Sequence, residues 1–549
     1  MPSAPATPAP AAADTVLTGA RVRTLDPARP WATAVAVQDG RITAVGDEGD
    51  VRDLRGPATK VIDLGGATLT PGFVDGHSHP VWGVDMATGT DLSGCRGLDD
   101  LRAALAAAAR ELRPGQWVTG WGLDHNVFGD RPVHRDLIED ALGGAPAFLR
   151  LYDGHSALAS GAALAAAGIE GPRTFTQRAS VVCDDHGRPT GHLVEHAAMD
   201  LLLPVVPRPS AAERRTRLLA ALDEMAAAGL TGAHVMDLQS PDAVQLLDGI
   251  EAEGHLPLRL RLAPWCMPGI GTEGLDHLVA LQQQGGRQWR VDGVKFFMDG
   301  TIEGGTAWLE RPDCHGEGTE AFWPDPAAYT HAVHHLARAG VRTATHAIGD
   351  AAVRHVLDTV ELLGDTGAQG RHRHRIEHIE TVPTDQLARF AALGVVASMQ
   401  PLHTGYTRAD HTDAWSQRVG TERAGRAWRC RDLRDAGAVL VLGSDWPIAH
   451  HDPRATLAAA RLRRPAGELG TAPVTPEQAL TGLMALEGLT SHAALAAGEE
   501  AQAGRIAPGF RADLTALAVD PVTAPADDVA AAPVRLTMSG GRVTHRGVA

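Results

Sequence analysis

The stretch TPGFVDGHSHPVW (residues 70–82) sets His77 and His79 one residue apart at the end of an apolar run, directly before Pro80. In an extended strand, side chains at i and i+2 leave the same face, about 7 Å apart along the strand. Asp75, His77 and His79 are therefore expected on one face, where the two imidazoles can share a metal ion. Spacing alone does not decide it. With 26 His in 549 residues, composition supplies a His-x-His triplet about once. A second one, His372 and His374, stands in RHRHR.

Other residues able to bind a metal or to titrate lie far away in the sequence: Lys295 in GVKFF, His346 in ATHAIGD, His378 in RIEHIE and Asp445 in LGSDWP. Four His and one Asp suit Zn²⁺, Fe²⁺, Mn²⁺ or a similar borderline ion. They exceed the needs of one open catalytic zinc site, so the expectation is one or two divalent ions per chain, Zn²⁺ first. An ammonium repels cations. Lys295 joins such a set only by losing its charge or by carboxylation with CO₂ into a bridging anion.

Something must bring these residues together. Between residues 71 and 499 the chain alternates strand-like runs (GFVDGHSH, GLTGAHVMD, LPLRLRLAPW, VDGVKFFMDG, VRTATHAIGD, RHRIEHIE, GVVASMQP, AVLVLGSDWP) with Ala- and Leu-rich helical stretches. Eight strands with helices between them predict a parallel (β/α)8 barrel of the α/β class. Chemistry in such a barrel sits at the carboxyl ends of the strands, and His77/His79, His346, His378 and Asp445 end their runs. Lys295 rides on the fourth. His372 and His374 begin theirs, at the wrong end, and are expected on the surface. A long segment, residues 83–230, separates the first strand from the second and reads as an insertion or lid subdomain. Short alternating runs with a QDGR turn over residues 13–70, matched over residues 500–549, predict a small β-sandwich domain built from both termini. Residues 1–12, rich in Pro and Ala, read as a disordered tail.

Composition excludes several roles. The net charge of −16 argues against binding a phosphate backbone, which needs a basic face. Five scattered Cys without a C-x-x-C give neither a disulfide framework nor a zinc knuckle. No apolar run reaches the roughly 20 residues of a membrane span, and the N-terminus has no secretory pattern. A cytoplasmic protein, free of nucleic acid and membrane, is expected.

With these blocks in order, the chain resembles the amidohydrolase superfamily, more narrowly its N-substituted formamide deformylase-like metal-dependent hydrolases (amidohydrolase family 3), over nearly the whole length. TPGFVDGHSH is similar to the family's first-strand metal motif and VKFFMDGTIEGGTA to its fourth-strand segment with the Lys. THAIGDAAV, RIEHIE, SMQPLH and LGSDWPI are similar to the fifth to eighth, and GRIAPGFRADL to the return into the terminal sandwich. The resemblance implies that His77, His79 and Asp445 bind the more buried metal and His346 and His378 the more exposed one. Carboxylated Lys295 and a hydroxide would bridge the two. Asp445 would also take the hydroxide proton and deliver it to the leaving nitrogen. Asp75 either orients one of the histidines or makes a strand-to-turn hydrogen bond.

The implied activity is hydrolysis of a C–N bond in a small amide-like substrate, an amide or N-substituted formamide. No Glu follows three residues after His346, which favours this over deamination; a deaminase or cyclic-amide hydrolase of the same superfamily is the first alternative. A barrel that binds ligand without turnover is the other alternative. Five further residues are candidates for substrate contact: His403 after the seventh strand, and, in the insertion, His155, Glu195, Trp121 and Asp124. A homodimer is the expected assembly.

Overall fold

The computed structural model describes residues 12–240, 242–254, 256–364 and 373–547. Its centre is made of parallel strands: β1 (Phe73–Ser78), β2 (Leu230–Val235), β3 (Arg259–Leu262), β4 (Val294–Phe297), β5 (Thr343–Ala347), β6 (Arg375–His378), β7 (Val396–Met399) and β8 (Leu440–Leu442). β1, β2 and β3 form one sheet with Trp289–Val291 at its edge, and β4 to β8 form another in sequence order. Backbone bonds join the sheets on both sides. The Lys295 amide donates to the Pro264 carbonyl (2.9 Å) and the Cys266 amide to the Lys295 carbonyl (2.8 Å). Opposite, the Asp445 amide donates to the His77 carbonyl (2.7 Å) and the His79 amide to the Trp446 carbonyl (2.8 Å).

These strands are buried on both faces, as expected where helices cover a parallel sheet. The outward side is apolar, whereas the inward side carries unusual polarity. Register places Lys295 beside Ala344, and His346 beside Glu377. Arg375 and Glu377 therefore share the inward face with Lys295, Phe297 and His346. Outward, Thr345 meets the Tyr329 hydroxyl of the covering helix Pro326–Arg338 at 2.8 Å.

The second His-x-His differs from expectation. His372 lies outside the described residues. His374 is 2% exposed rather than superficial, its Nδ1 2.8 Å from Thr343 Oγ1. The start of β6 is thus buried as fully as its end.

The segment between β1 and β2 folds as a six-stranded sheet, with Ala147–Leu151 near its middle, and two apolar clusters of its own. At the other end of the molecule, Thr68–Pro71 pairs antiparallel with Leu514–Leu517, so the two chain termini share a sheet. That sheet and the one formed by Thr15–Thr18 and its neighbours enclose a single core containing Leu17, Val35, Leu69, Leu514 and Leu536. Among the described residues no helix is long and apolar enough to cross a membrane.

Candidate metal centre

β1 delivers its histidines through a local irregularity. Asp75 lies opposite Ala233, but Ser78 lies opposite Val235, so β1 carries one extra residue there. Such a bulge re-aims side chains. Asp75 consequently binds the loop after β8 and not a histidine ring: it accepts from the Ser444 amide (2.9 Å), the Ser444 hydroxyl (2.5 Å) and the His77 amide (3.2 Å). It thus fixes the residue preceding Asp445. Burial pushes its carboxyl up to about 6.

The His77 ring is completely buried. Its Nδ1 lies 2.6 Å from Glu377 Oε2, and Arg375 grips Glu377 through Nε (2.6 Å) and Nη2 (3.0 Å). Burial alone would raise the Glu377 carboxyl, but Arg375 and His77 hold it well below the usual range. The carboxylate therefore takes the Nδ1 proton, leaving His77 Nε2 as a lone pair. Burial also pulls His77 down to about 4, so the ring is neutral. Nε2 has no hydrogen-bond partner, yet Asp445 Oδ1 is 3.3 Å away. Two buried acceptors face each other. His79 also lies between two carboxylates, with Nδ1 3.2 Å from Asp237 Oδ2 and Nε2 3.2 Å from the same Asp445 oxygen, and against burial these raise its pKa. Carboxylate–histidine pairs of this kind fix the tautomer of metal-binding imidazoles. The donor set His77, His79 and Asp445 fits a divalent cation.

Asp445 Oδ2 turns to a second group, with His378 Nδ1 and His403 Nε2 each at 3.8 Å. Alternation along β6 would send His378 outward, but its φ of 75° swings it round, and Asp445 likewise has φ 60°. Non-glycine residues in this region cost about 1–3 kcal/mol each and cluster at functional sites. The His346 ring stands 4.4 Å from that of His378, with Nε2 3.0 Å from the Gly300 carbonyl oxygen. Donation there leaves Nδ1 as the free acceptor. Lys295 lines the same cavity, and burial brings its ammonium down to about 8, which eases loss of the proton.

A profile of the amidohydrolase family matches residues 60–545, the strands and site included. The chain belongs to the amidohydrolase family. It is similar to the N-substituted formamide deformylase of Arthrobacter pascens, with 29% identity over 93% of this chain and 94% of that one. It is similar also to the protein LONG AFTER FAR-RED 3 of Arabidopsis thaliana, with 28% identity over 97% of this chain and 92% of that one. Among solved structures, an uncharacterized metal-dependent hydrolase from Pyrococcus horikoshii OT3 shares the fold, with a TM-score of 0.70 and 24% identity, covering 93% of this chain and 99% of that one. This amidohydrolase is a metal-dependent hydrolase by family.

The remaining candidates divide. His155 and His403 line the cavity of the amidohydrolase. Glu195 stands behind His155, its Oε2 2.8 Å from His155 Nδ1, and orients that ring without facing the cavity. Trp121 and Asp124 do not line it. Trp121 lies opposite Asp91 in the insertion sheet, and Asp124 caps a short helical turn through the Asn126 amide (2.8 Å). Residues that sequence reasoning missed include Glu377, Arg375 and Asp237 behind the histidines. Also missed were two buried carboxyls inside the cavity, Glu303, held by the Tyr152 hydroxyl, and Glu380, held by Trp415 Nε1 at 2.6 Å. For Arg375 and Glu377 a signal existed: their spacing on a strand puts both on one face.

Proposed function

We propose that this amidohydrolase cleaves a C–N bond in a small amide-like molecule, an amide or N-substituted formamide, in a closed eight-stranded barrel carrying one or two divalent ions. His77, His79 and Asp445 would hold one ion. His346 and His378, with Lys295 as its carbamate, would hold the other. His346 is preferred to His403 here because the Gly300 carbonyl fixes its tautomer, whereas no hydrogen bond fixes His403 Nε2. When bound, the ions lower the pKa of a coordinated water and polarise the substrate carbonyl.

The chain's own groups do the rest. The Asp445 carboxyl is held well below its usual range despite burial, and its carboxylate accepts the proton of the attacking water. It returns that proton to the leaving nitrogen, so that a formamide and water yield formate and an amine. His403, which burial keeps neutral, and His155, whose pKa Glu195 raises against burial, bracket the substrate carbonyl. Glu377 and Asp237 hold the imidazoles still while charge develops.

The observation that carries this reading is the pair of buried acceptors, His77 Nε2 and Asp445 Oδ1, at 3.3 Å. Purified protein, never exposed to chelator, is expected to carry one to two transition-metal ions per chain and to release amine plus acid from a panel of formamides and amides. Negligible metal refutes the reading, and release of ammonia from amino-heterocycles alone replaces it with deamination.

A further inference from the structure

The cavity at the metal centre is small, about 50 Å³. At about 10–15 Å³ per water-sized position, it has room for roughly three to five such positions: a water and a carbonyl group, not a whole N-substituted amide. Beside it lies a second cavity of about 850 Å³, between the barrel mouth and the insertion. Three rings line both cavities: Trp82, His196 and Trp265. They touch one another, with centroids 5.4 Å apart for Trp82–Trp265, 5.8 Å for Trp82–His196 and 5.1 Å for His196–Trp265. Burial keeps His196 neutral. This partition is an aromatic, uncharged collar, suited to a flat or alkyl segment and hostile to a charge.

Beyond the collar apolar side chains (Met86, Phe148, Met199, Leu203, Val206, Met267) alternate with charged ones, and one of these stands out. Arg150, on the insertion strand Ala147–Leu151, points its guanidinium over the Phe148 ring at 4.8 Å. Among the described residues it makes no hydrogen bond and no ion pair. The other cations here are engaged. Arg214 binds Asp85 (3.0 Å) and Asp242 (2.5 Å), and Arg208 donates to the Leu203 carbonyl (3.3 Å). Asp200 faces Arg150 and Arg208 without an ion pair to either, and burial raises its carboxyl. A guanidinium carries five donors in a fork that matches a carboxylate. Leaving it unpaired in a cavity lowers its pKa to about 10 by burial and gains nothing unless a ligand supplies the partner.

We infer that the substrate is an amide bearing a carboxylate at the end remote from the scissile bond, with an apolar spacer through the Trp82–His196–Trp265 collar and the carboxylate seated on Arg150. This rests on the amide-hydrolase reading above and names its substrate class. Arg150 is then the residue that selects for charge, and Asp200 the one that tempers it.

The holoenzyme can be tested with a matched pair, N-formyl-ε-aminocaproate and the neutral N-formylhexylamine, comparing kcat/KM. The expected result is a preference of at least about tenfold for the carboxylate, carried by KM; one tenfold step is about 1.4 kcal/mol. Arg150→Met should collapse the ratio toward one, Arg150→Lys should keep part of it because a point charge lacks the fork, and Asp200→Asn should widen it. A second arm needs no turnover: calorimetric binding of heptanoate against heptanol, wild type against Arg150→Met. Selectivity for heptanoate that is lost with Arg150 supports the site even if neither formamide is cleaved, and then only the amide reading falls. Equal binding of both ligands by the wild type, or a preference that survives Arg150→Met and Arg150→Lys unchanged, overturns the proposal.

Discussion

Replacing Glu377 by Gln tests the centre at its support and leaves every presumed ligand in place. The change is isosteric and sits in a site with no solvent exposure, so nothing but charge and proton direction alters. Two consequences follow. Arg375 loses its only ion-pair partner among the described residues, keeping bonds to Ser398 Oγ (2.8 Å), the Gly76 carbonyl (2.6 Å) and His234 Nδ1 (2.8 Å). Removing one member of a buried pair costs about 3–5 kcal/mol, and the surviving bonds put the expectation at about 3 kcal/mol. His77 meanwhile no longer faces an obligate acceptor. Where the Gln amide presents N–H, the ring must shift its proton to Nε2, the atom that faces Asp445. Loss of such outer partners weakens metal binding about 10- to 100-fold, equivalent to about 1.4–2.7 kcal/mol. The assay is competition for metal against a graded chelator series, with urea unfolding of the metal-free forms run in parallel. A variant that keeps wild-type metal affinity while losing stability would show Glu377 to be a partner of Arg375 alone. No change in either would refute the reasoning.

Lys295→Ala should remove metal and rate together, and reconstitution of wild-type apoprotein should quicken with added bicarbonate; unchanged metal content in the variant rules the Lys out as a ligand. His346→Ala should lower the ions per chain, whereas His403→Ala should keep them and slow turnover, as measured by metal analysis beside steady-state rates. The terminal sheet is fastened by Glu499, which burial would raise but which Arg261 and Arg511 hold at about 2, against 4.5 ordinarily. A depressed carboxyl stabilises the fold above its unfolded pKa and loses that contribution as pH falls through its folded one. About 3 kcal/mol should therefore vanish between roughly pH 4.5 and pH 2, and urea unfolding of metal-free Glu499→Gln should lack that part of the acid dependence.

Several features could be read from residues alone because they are periodic or local. The eight strand-like runs recur between helical stretches, and the metal-capable residues near their carboxyl ends share one position in that repeat. The structure gathers His77, His79 and His378 around the Asp445 carboxylate and sets Lys295 and His346 in the cavity that Asp445 lines. What was illegible depends on through-space partners or on single dihedral angles. Asp237 comes from the end of β2 to meet His79, a neighbourhood no spacing announces. The aim of His378 comes from a left-handed φ, which alternation predicts wrongly. His374 is buried at the start of its strand, so position along a strand does not measure exposure. Trp121 sits on the insertion sheet and Asp124 just past the end of that strand, and alternation shows that a strand exists but not which face turns to the cavity. Arg150, a lone Arg in an apolar run, gave no sign that its charge was unpaired.

The bonds that join the two parallel sheets involve the backbone of Lys295, His77, His79 and Asp445, the residues whose side chains converge on the centre. The joining of the two sheets and the geometry of the candidate centre are thus written at the same positions. Sequence change there is paid in folding and chemistry at once, which forbids gradual drift of the site along the sheet. The insertion has no such double duty: its sheet and its apolar clusters stand apart from those joints. New specificities on this framework are therefore reached by rewriting the insertion, Arg150 and its surroundings first, while the joints stay as they are.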